Sequence, residues 1–210
     1  MHRYVKYPEW ILELGCGTGR FGAKFSRDNY LVFGMDKSLD MLRIAKNRAY
    51  KNFHIFCGNM TNFSMSRKFD FIFSVHDTMN YFIEYDDLKK VLKSVKNIMN
   101  SSSIFMFDLT TEYNIKKYFY NNKTVYKLNN IDVLWENEYD ESNKLIYSTL
   151  QFSKNGNIVT EKHIQRIYFS NEIENLLKVE GFKLVDVFSD YTFSPVAENT
   201  VMTNYVTKLI

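Results

Sequence analysis

The sequence predicts an α/β fold with a small β-rich insertion. Short apolar runs alternate with helical patterns through the first half of the chain, which is typical of βαβ units and a parallel sheet. A glycine-rich turn, Gly15–Gly19, follows the first apolar run, and residues 121–169 show period-two alternation without a helical pattern. These features predict a doubly wound domain made of residues 1–120 and 170–210, interrupted by an antiparallel subdomain at 121–169.

Composition narrows the class of protein. The chain has 210 residues, is 45% hydrophobic and carries a formal net charge of +3. That charge and the absence of a dense Lys/Arg block argue against a nucleic-acid partner. No apolar run has the length of a membrane span or a signal-peptide core, and Cys16 and Cys57 stand apart without metal-ligand spacing. We therefore expect a cytoplasmic protein with no membrane segment and no metal, and we leave the oligomeric state open.

Five strands are predicted in the first half. Trp10–Leu14 is the first, and a helix starts near Arg20 after the glycine turn. The second strand, Tyr30–Met35, ends at Asp36, and Ser38 can cap the next helix because its hydroxyl can accept a bond from a free backbone N–H. The other three predicted strands are His54–Cys57, Phe69–Val75 and Ile104–Leu109.

A helix and a C-terminal pair of strands complete the domain. Six apolar residues share one helical face ahead of the fifth strand: Leu88, Val91, Leu92, Val95, Ile98 and Met99. Asn171–Glu174 resembles a capping box, and Gly181 stands where that helix would stop. Two further strands, Lys183–Ser189 and Val201–Lys208, follow.

The insertion is predicted as an antiparallel meander. Its strands are Asp132–Tyr139, Lys144–Phe152 and Ile158–Phe169, separated by turn signals at 140–143 and 155–157. We expect this meander between the fifth strand of the main sheet and the next helix.

The glycine turn fits two nucleotide ligands. Glycines let the backbone approach a ligand closely, and the helix that follows offers free N–H groups for a carboxylate or phosphate. Gly17, Gly19 and Gly22 match the G-x-G-x-x-G of NAD sites, with Asp36 roughly twenty residues on. However, Gly15, Gly17 and Gly19 alternate and an acid, Glu13, precedes them, which favours a different site.

This E-x-G-x-G-x-G pattern resembles motif I of the class I S-adenosylmethionine (SAM)-dependent methyltransferases. Ser38–Leu42, Cys57–Met60 and Lys68–Phe73 resemble further stretches of that family. The resemblance covers nearly the whole chain and implies a Rossmann-like seven-stranded sheet whose last strand is antiparallel. The insertion and Asp77–Tyr81 resemble most a small-molecule branch that includes amino-sugar N-methyltransferases.

The resemblance implies SAM as cofactor and S-adenosylhomocysteine as product. Gly15, Gly17 and Gly19 would border the methionine part, and Asp36 would accept hydrogen bonds from both ribose hydroxyls. Asn59 and Met60 would flank the adenine, with Asn59 standing where relatives usually have Asp. The predicted cofactor set also includes Glu13, Cys16, Thr18 and Lys37.

Relatives also carry a longer helical segment ahead of motif I, which covers the SAM pocket and often supplies a tyrosine. About ten residues precede the motif here, and Tyr4 and Tyr7 are candidates for a remnant of that cover. We therefore expect SAM to bind more weakly and exchange faster than in relatives that have the full segment.

Residues after the fourth strand are the candidates for chemistry. Methyl transfer from a sulfonium needs an acceptor held in line and sometimes a base, and α/β sites lie beyond the C-terminal ends of the strands. His76 or Asp77 could act as base or orient an amine, and Tyr81 could shape the acceptor pocket. The same residues also suit a turn cap.

The insertion supplies the predicted acceptor roof. Trp135 and His163 lie on strand faces that would contact the substrate if the insertion covers the pocket, as in the resembling branch; otherwise these faces pack on the core. The predicted function is transfer of a methyl group from SAM to nitrogen or oxygen of a small polar metabolite. The alternatives are a SAM-binding protein without turnover and, less favoured, an NAD-dependent oxidoreductase.

Overall fold

The computed structural model describes residues 1–49 and 51–210, which form a seven-stranded sheet and a separate four-stranded sheet. The strands of the larger sheet are β1 (Trp10–Leu14), β2 (Leu31–Asp36), β3 (Phe53–Cys57), β4 (Phe69–Ser74), β5 (Met99–Thr110), β10 (Phe182–Ser189) and β11 (Met202–Leu209). Those of the smaller sheet are β6 (Lys123–Leu128), β7 (Ile131–Asp140), β8 (Leu145–Lys154) and β9 (Asn157–Arg166).

Helices connect the strands of the larger sheet. They are α1 (Arg20–Arg27), α2 (Leu39–Arg48), α3 (Tyr85–Asn97), α4 (Glu112–Asn114) and α5 (Ser170–Val179). A short 3₁₀ helix, Thr78–Tyr81, follows β4, and α4 continues as a π-helical turn, Ile115–Phe119. As predicted, Ser38 caps α2, since its hydroxyl oxygen accepts a hydrogen bond from the Met41 N–H. No described helix is both long and apolar enough to cross a membrane.

The larger sheet has the order β10-β11-β5-β4-β1-β2-β3. Strands β1 to β5 are parallel, whereas β11 is antiparallel to both of its neighbours, β5 and β10. This confirms the predicted seven-stranded sheet with an antiparallel last strand. The order reverses between β1 and β4, and in such sheets the crevice beyond the C-terminal strand ends at that point is where ligands bind.

The core lies on both faces of the larger sheet. Leu12 and Leu14 of β1 pack with α3 and α5, while Ile11 packs on the opposite face with Ala23 of α1. Successive side chains of a strand point to opposite faces, so a strand covered on both sides is apolar at nearly every position. Residues 11, 12 and 14 are accordingly fully buried.

Some predicted boundaries are wrong. Met99 begins β5 instead of ending the preceding helix, and its pairing with Phe69 is followed by a register shift, so that residues 100–103 bulge out of the ladder. At α5 the helix begins at Ser170, and the Glu172 carboxylate accepts the Phe169 N–H at 2.8 Å. The reciprocal cap is therefore made by Glu172, two residues before the predicted Glu174.

The insertion contains one strand more than predicted. Strand β6 forms one edge of the smaller sheet, and all six of its residues are exposed. Because neither face of β6 is buried, its sequence has no need to alternate apolar and polar residues. The pattern that predicts a strand is therefore missing. Strand β9 at the other edge ends at Arg166, and the buried Ile167 and Tyr168 then lead into α5.

Asn80 joins the two sheets. Its side chain is fully buried in the 3₁₀ helix. Its Nδ2 donates to the Arg166 carbonyl at the end of β9 (2.6 Å), and its Oδ1 accepts the buried Thr110 N–H at the end of β5 (3.0 Å). One side chain thus fixes the insertion to the main sheet beside the C-terminal strand ends.

Replacing Asn80 with Ala should destabilise the protein by about 2–4 kcal/mol, because two hydrogen bonds are lost and the buried Thr110 N–H is left unsatisfied. The measurement is urea unfolding. Asn175→Ala, on the exposed face of α5, is the control and should change stability by less than about 0.5 kcal/mol. Equal unfolding midpoints for the two variants would contradict this role for Asn80.

Candidate functional site

The glycine turn after β1 is shaped by the backbone around it. Gly15, Gly17 and Gly19 all have positive φ, at 71°, 50° and 71°. The Gly15 and Cys16 N–H groups donate to the Met35 carbonyl, which ties the turn to β2. A Cβ on Gly15 would lie 2.4 Å from Thr78 Cγ2, whereas one on Gly17 would meet nothing within 4 Å. Gly15 is thus required by packing, and Gly17 leaves open space above the backbone.

Glu13 holds the start of α1. Its carboxylate is only 3% exposed and accepts the Gly22 N–H at 2.9 Å. Burial raises its pKa to about 8, and the charge of Asp36 adds to this, while the Gly22 bond opposes it. The structure therefore gives Glu13 a contact with the protein, and its predicted contact with SAM remains a prediction.

Asp36 stands at the end of β2 beside the turn. Its Oδ2 accepts the Gly17 N–H at 2.7 Å, and its Oδ1 accepts the Ser38 N–H at 2.8 Å. Each oxygen of a carboxylate can accept about two hydrogen bonds. Both oxygens therefore keep capacity for one more donor, which is what two ribose hydroxyls would need.

A cleft of about 870 Å³ opens between this turn and the insertion. Predicted residues that line it are Gly15, Gly17, Asp36, Lys37, Asn59, Met60, His76, Tyr81 and His163. Residues that line it without having been predicted are Ser38, Met41, Gly58, Thr61, Thr78, Phe82, Asp87, Lys162 and Ile164. The volume lies within the range of ligand pockets, about 300–1,000 Å³.

Other predicted cofactor residues lie behind the cleft. Cys16, Thr18 and Gly19 complete the turn without lining the cleft. The Thr18 carbonyl accepts a bond from Arg48, and a Cβ on Gly19 would lie 3.0 Å from Ala45 and from Phe53. Cys16, Thr18 and Gly19 would help to hold a cofactor only by shaping the turn, and this role stays a prediction.

Asn59 lines the cleft, but its amide oxygen is already in use. It accepts both the N–H and the hydroxyl of Thr61, at 3.0 and 2.9 Å. An amide oxygen has two lone pairs, so only the NH₂ of Asn59 is left for a ligand. An adenine contact through the oxygen would require this turn to rearrange.

His76 and Asp77 form a sharp corner after β4. Both have positive φ, at 60° and 51°. His76 lines the cleft, whereas the Asp77 carboxylate lies behind it and accepts a hydrogen bond from Gln165 Nε2 at 2.9 Å. Burial raises the pKa of Asp77, while the Gln165 bond and the charges of His76 and His163 lower it.

Tyr81 of the 3₁₀ helix and His163 of the insertion meet on one wall of the cleft. The Tyr81 hydroxyl lies 3.0 Å from His163 Nδ1, and His163 Nε2 lies 3.5 Å from the Glu161 carboxylate. Burial, Asp77 and Glu161 raise the pKa of Tyr81 to about 12, so its phenol is neutral at neutral pH. This geometry suits a hydroxyl that donates to a neutral imidazole whose other nitrogen faces a carboxylate.

Trp135 does not line the cleft. Cross-strand pairing places it on the same face of the smaller sheet as His163, and its ring packs against Phe119. Its indole N–H is buried without a partner among the described residues. A substrate contact for Trp135 remains a prediction.

The two N-terminal tyrosines lie away from the cleft. The Tyr4 hydroxyl donates to Asp186 of β10 at 2.7 Å, and Tyr7 is 90% exposed. Neither lines the cleft, so the structure does not place a remnant of a SAM cover in these residues.

Sequence reasoning missed the groups that orient the site from behind. Asp108 of β5 is fully buried and accepts the His76 and Asp77 N–H groups. Glu161 and Gln165 alternate with His163 along β9 and face the same way. An acid within the apolar run Phe105–Leu109 was the available signal for Asp108. Among the described residues, no cluster of His, Cys, Asp or Glu could hold a metal ion.

Glu13 should make folding stability depend on pH. Its pKa in the folded chain lies above its ordinary value, so the folded state binds the proton more tightly than the unfolded state does. Its contribution is therefore largest below about pH 4.5 and is lost as pH rises towards 8, with a slope of at most about 1.4 kcal/mol per pH unit.

The Glu13→Gln variant cannot ionise, and its amide oxygen can still accept the Gly22 N–H. We expect the wild type to lose unfolding free energy relative to this variant between pH 5 and 8, measured by urea unfolding at each pH. All other titrating groups are common to both proteins. Parallel stability curves would mean that Glu13 is ionised in the folded chain at neutral pH.

Comparison with known proteins finds methyltransferases. Residues 11–102 match the family described as a methyltransferase domain. The Bacillus subtilis protein YqeM, which bears a methyltransferase name, is 28% identical over 192 residues, covering 87% of this chain and 76% of YqeM. A crystal structure of a SAM-dependent methyltransferase from Clostridium acetobutylicum has 28% identity and a TM-score of 0.86, covering 95% of this chain and 83% of that one.

A more distant structure shares the fold alone. CalS10, a SAM-bound amino pentose methyltransferase from Micromonospora echinaspora, has a TM-score of 0.75 at 11% identity, covering all of this chain and 86% of its own. The matched domain, the methyltransferase relatives and the structural neighbours, together with the sheet order and the glycine turn, support a class I SAM-dependent methyltransferase.

Proposed function

We propose that the chain binds SAM on the glycine-turn side of the cleft and transfers the methyl group to a nitrogen or oxygen atom of a small polar metabolite. One observation carries this proposal. The predicted cofactor side, formed by Gly15, Gly17 and Asp36, and the polar wall formed by Tyr81 and His163 line the same cleft of about 870 Å³.

The residues on the cofactor side fit the group. Both Asp36 oxygens can each accept one further hydroxyl, and the space above Gly17 is open. Helix α1 begins directly after the turn, and Gly19 at its N-cap has no side chain to cap it, while Glu13 accepts the Gly22 N–H one turn inside. The positive end of the helix dipole therefore still favours a ligand carboxylate near Gly19. SAM, when bound, supplies a methyl group already activated by its sulfonium.

Residues on the acceptor side can hold and deprotonate a polar group. Methylation of an N–H or O–H leaves a proton that the protein or solvent must take up. Tyr81 can pass that proton to His163 Nδ1, and Glu161 stabilises the resulting imidazolium. His76 lines the same cleft and can act as a second base.

A polar acceptor suits this wall. Asp87, Lys162 and His163 bring groups of both charge types to the cleft rim. The amino pentose acceptor of CalS10, which shares this fold, supports a small polar substrate of the same kind. The acceptor's chemical identity is the part left to experiment.

The NAD alternative has the weaker support. Dinucleotide-binding sheets have the order 3-2-1-4-5-6, whereas here the antiparallel β11 lies between β5 and β10. Binding of SAM without turnover is the other alternative, and only a transfer assay separates it from the enzyme.

Calorimetry should show binding of SAM and S-adenosylhomocysteine and none of NAD. Asp36→Ala should weaken SAM binding about 10- to 100-fold, because hydrogen bonds to a charged acceptor contribute about 1.5–3 kcal/mol. Asp40→Ala removes an exposed carboxylate of α2 and should leave affinity unchanged. Tight binding of NAD with no binding of SAM would refute the proposal.

Tyr81→Phe and His163→Gln should separate the two sides of the cleft. Each should keep SAM affinity within about twofold while lowering turnover by at least about tenfold, and by about 100-fold if the pair carries the proton. The assay is transfer of radiolabel from SAM to a metabolite pool and then to the acceptor so found. Tyr147→Phe, exposed on β8, is the control. Normal turnover in both variants would mean that this pair does not carry the proton and that transfer depends only on how SAM and the acceptor are positioned.

A further inference from the structure

The corner after β4 has an unusual backbone. His76 and Asp77 are successive residues in the left-handed region, at φ 60° and 51°. Residues with a Cβ adopt this region rarely, and they do so where the surrounding structure holds them there. What holds this corner therefore decides where the His76 imidazole and the Asp77 carboxylate point.

One buried carboxylate holds it. Asp108 Oδ2 accepts the His76 N–H at 2.8 Å, and Oδ1 accepts the Asp77 N–H at 2.7 Å. Two successive N–H groups that converge in this way form a concave site for an anion. Asp108 is 0% exposed, so no solvent shares these bonds.

A second corner is tied to the same carboxylate. The Tyr191 hydroxyl donates to Asp108 Oδ2, and the Tyr191 N–H donates to Asn204 Oδ1 at 2.9 Å. Asp190 and Tyr191 are also left-handed, at φ 52° and 59°. Asp108 thus connects the corner after β4 to the loop between β10 and β11.

We propose that Asp108 is a positioning residue for methyl transfer. It fixes the backbone of His76 and Asp77 so that the imidazole stays on the cleft wall and the Asp77 carboxylate stays against Gln165, and Tyr191 keeps the Asp108 carboxylate aimed at the corner. The effect on turnover rests on the proposed function; the effect on the corner does not.

Stability does not account for a carboxylate at this position. Burial raises the pKa of Asp108 to about 6, against the opposing effect of its three hydrogen-bond donors, and the charge of Asp77 raises it further. The folded state therefore binds this proton more tightly than the unfolded state does, and ionisation at neutral pH costs stability. The titratable groups that act on the Asp108 carboxylate are Tyr191, whose hydroxyl donates to it, and Asp77, whose charge raises its pKa. Neither neutralises its charge by a salt bridge.

The test is Asp108→Asn in the full chain. The amide oxygen can accept one of the two N–H groups, while its NH₂ faces the other. We expect residue-resolved hydrogen exchange of the ligand-free protein to show at least tenfold lower protection at the His76 and Asp77 amides, with protection elsewhere unchanged. In the transfer assay kcat should fall at least tenfold, while the Kd for SAM changes by less than about threefold.

Two further variants distinguish a local effect on the corner after β4 from a general loss of stability. Thr207→Val removes another buried hydrogen bond of the β5–β11 pair, to the Phe105 carbonyl at 3.0 Å, and should leave the corner amides protected. Tyr191→Phe should lower protection at the same two amides by a smaller factor. Because the Tyr191 ring is 44% exposed, this variant keeps the test available if Asp108→Asn fails to fold.

Unchanged protection of His76 and Asp77 in Asp108→Asn, or in Tyr191→Phe should the former not fold, would overturn the proposal. A uniform loss of protection across the sheet, equal to the loss in Thr207→Val, would also overturn the proposal. That pattern is expected of a residue whose role is only structural. Failure of the wild type to bind SAM in calorimetry would refute the proposed function separately, and the exchange result would still decide the role of Asp108 at the corner.

Discussion

The site depends on the close packing of two chain segments where the strand order reverses. The glycine turn after β1 and the 3₁₀ helix after β4 approach so closely that a Cβ on Gly15 would lie 2.4 Å from Thr78. That contact brings the proposed cofactor side and the proposed acceptor side of one cleft together. Effective methyl transfer requires both partners to be held in line, and here the relative position of the two sides is set by packing of the Gly15 backbone against the short Thr78 side chain.

The insertion is attached to the same 3₁₀ helix. Asn80 bonds to the ends of β5 and β9, and Gln165 of β9 bonds to Asp77 just before the helix. The strand that carries His163 is therefore fixed to the main sheet at the edge of the cleft. This explains how a separate sheet can contribute a wall residue to the site. It also makes the helix Thr78–Tyr81 the shared support of both walls.

The sequence was sufficient for the fold and for many of the residues that line the cleft. Fully buried strands such as β1 are apolar at nearly every position, and positive-φ turns need glycine, so both leave local signals. Contacts between residues that are far apart in the sequence leave no such local signal. The pattern could not show that Thr61 occupies the oxygen of Asn59, that Trp135 packs away from the cleft, or that Asp108 holds the corner after β4. Strand β6 was missed because none of its residues is buried.

Backbone and amide N–H groups satisfy the acids around the cleft. Glu13 accepts from Gly22, Asp36 from Gly17 and Ser38, and Asp108 from the corner after β4. Among the described residues, no Lys or Arg forms an ion pair with these carboxylates. The N–H groups hold each acid in place, but burial raises the pKa of Glu13 to about 8, so Glu13 is mostly protonated at neutral pH. Of these three acids Asp36 is the one that lines the cleft, where a carboxylate attracts a cation, and the sulfonium of SAM carries that charge.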